Sequence, residues 1–147
     1  MKKILVILIF LTSCGYQPLY SNKKFADFTF KDIELIGDIK INRQIVTTLN
    51  IEKNSENFQF NKIVLKNNKQ IIETSKNSKG QADSYKMILS VNLIIENKEN
   101  ILKEKFFSET FAYKKLDNNF DLSQYEKEVE KNLITKITEQ MIVHLNL

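Results

Sequence analysis

The chain has 147 residues, a formal net charge of +4, one cysteine, one histidine and three glycines. That length supports a single hydrophobic core and not two. One cysteine excludes an intramolecular disulfide, and so few histidines, cysteines and glycines leave little material for a thiolate–imidazole metal site or a phosphate-cradling loop.

Lys2 and Lys3 precede an unbroken apolar run, Ile4 to Leu11, followed by Thr12, Ser13 and Cys14. Charge, apolar stretch and small residues before a cut are the layout of a bacterial export signal. The run is too short to span a bilayer, which takes about 20 apolar residues. Leu11-Thr12-Ser13-Cys14 resembles the lipobox of bacterial lipoproteins. The resemblance implies cleavage before Cys14, a thioether-linked diacylglycerol on its sulfur, and a palmitate-type acyl chain on the new amino group. The cysteine must come first because its thiolate is the nucleophile that accepts lipid. Several acyl chains, at about 0.8 kcal/mol per buried methylene, hold firmly to a membrane. Gly15 follows, where aspartate in such lipoproteins commonly retains the product in the inner membrane; by that analogy the expected destination is the outer membrane. The expected organisation is therefore a signal peptide at 1–13, a lipidated tether at 14–27 and one domain at 28–147. Losing Lys2 and Lys3 lowers the formal charge from +4 to +2, and export argues against nucleic acid as a partner.

Pro18, the only proline, excludes regular helix in the tether. Phe28 to Ile36 predicts a strand. Phe28 and Phe30 alternate with polar residues and then the phase moves to Ile33 and Leu35, which predicts a bulge or bend near Asp32. Gly37 and Asp38 break the strand. Ile41, Ile45, Thr48 and Leu49 share one face at helical spacing and predict a helix from about Asn42 to Glu52. Phe58 to Lys76 reads as one long irregular strand or two short ones, and Asn77-Ser78-Lys79-Gly80 as a turn. In Tyr85 to Glu96, Tyr85, Met87, Leu89, Val91, Leu93 and Ile95 alternate strictly, so this strand has one face on the core. Asn97 to Asn100 predicts a hairpin turn, and Ile101 to Tyr113 the returning strand, with Phe107, Phe111 and Tyr113. In Ser123 to Leu147, Val129, Leu133, Ile137, Met141 and Leu145 recur every fourth residue, widened by Ile134 and Ile142. Ser123 and Glu126 read as a capping box at its start. The order β-α-β-β-β-α predicts an α+β two-layer sandwich, with two helices on one face of a four-stranded sheet.

The chemistry is sparse. His144, the only histidine, lies near the end of the last helix beside its apolar stripe and reads as a helix-terminus or packing residue. No nucleophile elbow surrounds Ser108 or Ser123, and no Asp-x-Asp-x-Asp-Gly calcium loop exists. No enzymatic activity, no metal and no cofactor are expected. Charge is uneven: between Asn61 and Gly80, five lysines (Lys62, Lys66, Lys69, Lys76 and Lys79) face one acid, Glu73. Ammonium groups on such an arm suit a phosphate-bearing amphiphile, and each lysine singly suits better a solvated edge strand that uses lysine to block aggregation.

Cys14-Gly15-Tyr16-Gln17-Pro18-Leu19-Tyr20 resembles the mature start of LptE lipoproteins, especially the alphaproteobacterial type. Ile33-Glu34-Leu35 with Asn42-Arg43-Gln44 and Leu49 is similar to that family's first strand and helix. Gly80 to Ile95, with Tyr85-Lys86-Met87 opening the alternating strand, is similar to its third strand. The resemblance implies a lipid-anchored subunit on the periplasmic side of the outer membrane. It would plug the LptD β-barrel, help it assemble, bind lipopolysaccharide and aid its insertion into the outer leaflet. A freestanding lipid-binding lipoprotein facing the periplasm is the other reading; it needs a cavity lined by Leu89, Phe107 and Phe111. The family's basic ligand contacts match no motif here, so the five lysines stand as candidates on local charge alone.

Overall fold

The computed structural model describes residues 28–98 and 100–145. The expected signal peptide (1–13) and the expected tether (14–27), with Cys14, lie outside the described residues. Seven elements follow in order: strand β1 (Phe28–Ile36), helix α1 (Ile39–Thr48), strands β2 (Ile51–Lys53), β3 (Phe60–Lys76), β4 (Ala82–Asn97) and β5 (Asn100–Lys114), and helix α2 (Asn119–Leu145). The strands form one sheet in the order β2-β1-β3-β4-β5. β1 runs parallel to both neighbours, β2 and β3. The meander β3-β4-β5 is antiparallel throughout, as its turn signals predict.

Both helices pack on one face. The alternation of β4 decides which: Met87, Leu89, Val91, Leu93 and Ile95 are at most 1% exposed. The stripe of α2 meets them with Val129, Leu133, Ile134, Ile137, Met141, Ile142 and Leu145, all buried. Each such side chain contributes about 1.5–3 kcal/mol of burial. Ile41, Ile45 and Leu49 bring α1 to the same core.

The sheet has five strands, not the expected four. The extra strand is β2, within the segment expected to end the first helix. Leu49 closes α1, its N–H reaching the carbonyl of Ile45 (2.9 Å). Asn50 then adopts a left-handed conformation, φ 50°, which ends a helix as a C′ residue does. The turn throws Ile51 onto the sheet, paired with Phe28 and 6% exposed. Three residues are too few for alternation to show. The start of α1 also lies earlier than expected. Asp38 caps it, its Oδ1 accepting from the N–H groups of Lys40 (2.8 Å) and Ile41 (3.3 Å), which satisfies donors a helix start leaves free.

Two other expectations change. The offset between β1 and β3 is constant from Phe30↔Phe60 to Ile36↔Lys66, so no residue is inserted near Asp32 and there is no bulge. The core phase instead shifts in both strands together, from Phe30 and Phe60 to Ile33, Leu35, Ile63 and Leu65. Of the two readings of 58–76, the single long irregular strand is the one found, over Phe60–Lys76 with register shifts at Ser75. At α2 the cap is Asn118, whose Oδ1 accepts from the N–H of Phe120 (2.8 Å). Ser123 sits inside the helix and Glu126 accepts from the Tyr113 hydroxyl (2.7 Å), so the capping box does not form.

Asn67 ties the first turn to β3. It is 6% exposed; its Nδ2 donates to the carbonyl of Asp38 (2.8 Å), and its Oδ1 accepts from the N–H of Asp38 (3.1 Å). Gly37 passes beside it at φ +98°, and a Cβ there would collide with the Asn67 carbonyl. Asn67→Ala should cost about 1–3 kcal/mol in urea unfolding, because it leaves the Asp38 N–H unpaired, while the Asp38 carbonyl keeps the N–H of Asn42 (3.1 Å). Gly37→Ala should cost more than about 1 kcal/mol through its left-handed φ alone.

Candidate functional site

Three surfaces are open to partners: the second face of the sheet, the far end of the β3-β4 hairpin, and the groove where β5 meets α2. Neither helix covers the second face. Because side chains alternate along a strand, it carries Lys86, Ile88, Ser90, Asn92, Ile94 and Glu96 of β4 opposite the buried set, each half-buried. Their neighbours across the register are Lys62, Val64, Lys66, Asn68, Gln70 and Ile72 of β3, and Glu104, Phe106 and Ser108 of β5. Polar groups on it pair laterally: Asn92 Nδ2 donates to Glu104 Oε1 (3.0 Å) and Ser90 Oγ to the carbonyl of Asn68 (3.3 Å). Apolar side chains lie between them, so the surface is mixed.

The five lysines do not form one cluster. Lys62 and Lys66 share the second face, four residues or about 13 Å apart along the strand. Lys62 is paired with Glu34. That hydrogen bond, opposed by partial burial, raises the ammonium's pKa above its usual value. Lys69 is on the helix side, bound to Glu130 of α2 (2.5 Å), and serves to dock α2. Lys76 and Lys79 are at the hairpin end, Lys79 in the turn whose N–H groups are held by Asn77 Oδ1 (3.0 Å). Among the described residues Lys66, Lys76 and Lys79 make no ion pair. No group of three His, Cys, Asp or Glu side chains suited to a metal occurs among the described residues.

Sequence reasoning missed the third surface. Lys105, Phe106, Phe107, Ser108, Gln140, Val143 and His144 line an open groove of about 520 Å³. The missed signal is the register of β5: Lys103, Lys105 and Glu109 stand opposite Ile95, Leu93 and Leu89, so charges sit on the face that the helices cover. His144 meets Phe107 edge to face at 6.0 Å, its Nε2 is buried without a partner, and its carbonyl accepts from Lys103 Nζ (3.5 Å). Burial first, then the charges of Lys103 and Lys105, hold its pKa below the usual histidine value. It is a packing residue, as its place on α2 suggests. Beyond it, Tyr85, Tyr113 and Tyr125 lie in series with ring centroids 5.8 Å apart, the first pair tilted and the second edge to face. Burial, then the Glu126 hydrogen bond, push the Tyr113 phenol well above its usual pKa.

The fold can be placed among solved structures. A minor lipoprotein from Acinetobacter baumannii superposes with a TM-score of 0.55 at 16% identity, covering 80% of this chain and 90% of that one. A lipoprotein from Caulobacter crescentus gives 0.55 at 12%, over 77% and 86%. Lipoprotein B from Nitrosomonas europaea gives 0.53 at 12%, over 78% and 79%. This chain has the fold of bacterial lipoproteins. No family model matches it, and no curated protein matches it.

A histidine whose folded pKa is depressed stabilises the fold above its unfolded value, near 6.5, and that contribution is lost as pH falls towards the folded value. Denaturant midpoints should therefore drop between pH 7.5 and 5.5, and His144→Leu should flatten that drop.

Proposed function

We propose that this chain is a non-enzymatic outer-membrane lipoprotein, anchored through Cys14 on the periplasmic side. It acts as the plug and assembly subunit of an LptD-type β-barrel, binding lipopolysaccharide and aiding its insertion into the outer leaflet. The observation that supports this most is the second sheet face. It spans the meander, is left open by both helices, and mixes amide, hydroxyl and charged groups with scattered apolar side chains. Barrel lumens are polar, and such a face can lie against one without stranding charges.

The fold shared with envelope lipoproteins supports the anchor and the location. Lys66, Lys76 and Lys79 are the candidate cations for lipopolysaccharide phosphates, since Lys62 and Lys69 are engaged by Glu34 and Glu130. The freestanding carrier is favoured less. The layer between sheet and helices is filled by side chains at most 1% exposed, such as Leu89, Ile137 and Met141. Phe111, expected to line a cavity, is instead 40% exposed at the surface.

Three outcomes are expected. Pull-down of the tagged protein from detergent-solubilised membranes should return a large β-barrel protein in stoichiometric amount; recovery of the chain alone would refute the plug. Cys14→Ser should move the protein from the membrane pellet to the soluble periplasmic fraction. Replacing Lys66, Lys76 and Lys79 together by Gln should weaken lipopolysaccharide binding roughly tenfold, at about 0.5 kcal/mol per exposed charge.

A further inference from the structure

The two edges of the sheet are built differently. β2 is three residues long, a length that offers little to another chain. β5 is fifteen residues long, its only strand neighbour among the described residues is β4, and it is exposed along most of its length. Phe106 is 63% exposed there, and Val143 beside it on α2 is 48% exposed. Long free edges with apolar side chains are templates for strand addition.

The charges on β5 choose the strand that fits. We infer that this edge pairs with β5 of a second copy of the chain, antiparallel about Phe107, to give a continuous ten-stranded sheet. In that register Lys105 lies opposite Glu109 of the partner and Glu109 opposite the partner's Lys105, on either side of the axis. Phe106 lies against Ser108, and Lys103 against Phe111. No like charges meet from 103 to 111. Paired residues across antiparallel strands point to the same face, and the two-fold axis keeps both helix layers on one side. Glu109 is already oriented, accepting from Gln140 Nε2 (2.6 Å). Lys105 makes no ion pair among the described residues, so its charge is available across the edge. The second copy would also close the open groove between β5 and α2, covering Phe106 and Val143. Closure by a copy uses the β5 edge with Lys105 and Glu109 of the helix side, and the barrel reading uses the second face; Phe106 and Ser108 border both.

The test is the mass of the mature lipidated protein in excess detergent, followed by analytical ultracentrifugation across micromolar concentrations. The wild type should dimerise. Lys105→Glu should raise the dimer dissociation constant about tenfold or more, since it puts acid opposite acid twice. The charge swap Lys105→Glu with Glu109→Lys should restore dimerisation, a recovery that loss of folding could not produce. A wild type that stays monomeric, a dimer indifferent to Lys105→Glu, or a swap that fails to rescue while circular dichroism shows a folded chain would each overturn the inference.

Discussion

Burial of one face of β4 is the constraint on which the rest of the molecule depends. Because strand side chains point alternately to opposite faces, a slip of one residue would put Lys86, Ser90 and Asn92 into the core and expose Met87, Leu89 and Val91. β4 is held on both sides, by β3 and by β5, so its register passes to the whole meander. Once that face is inward, α2 has one place to lie, and its four-residue stripe fills the layer from Val129 to Leu145. Lys69 and Glu130 then join sheet to helix at one end, and Tyr113 and Glu126 join β5 to α2.

The same constraint leaves the opposite face without a layer among the described residues. A two-layer sandwich with both helices on one side exposes a sheet surface that must tolerate water or a partner, and here it mixes polar and apolar groups rather than forming a greasy patch. That composition fits a wet protein surface better than lipid. The edges diverge for a related reason. The β1-α1-β2 crossover ends one side of the sheet after three residues, while the outer edge of β5 has no strand beside it among the described residues.

At the junction between β1 and α1 two asparagines, Asn42 and Asn67, are sunk into the structure. Asn67 reaches across from β3 to satisfy both backbone groups of Asp38, and Asn42 Nδ2 donates to the carbonyl of Ile36 (3.0 Å). Buried polar groups are costly unless paired. Here they fix the direction in which the chain leaves the sheet, and so the placement of α1 on the same face as α2. Gly37 is required at this turn both by its φ and by the closeness of Asn67.

Periodicity alone determined much of this protein. The six alternating residues of β4, the stripe of α2, the turn at Asn77–Gly80 and the antiparallel meander are local patterns, readable because burial imposes a period of two or of nearly four on the residues themselves. What depends on contacts distant in sequence had no such signature. The three-residue β2 is a strand only because β1 is beside it. Asn118 rather than Ser123 caps α2, because the helix already begins at Asn119, and Glu126 is taken by a tyrosine thirteen residues away. The lysines at 62 to 79, adjacent along the chain, are spread over a helix-facing side, an open face and a hairpin end. Tertiary structure decided their separation, since an extended strand carries neighbours about 3.3 Å apart per residue and turns them to opposite faces.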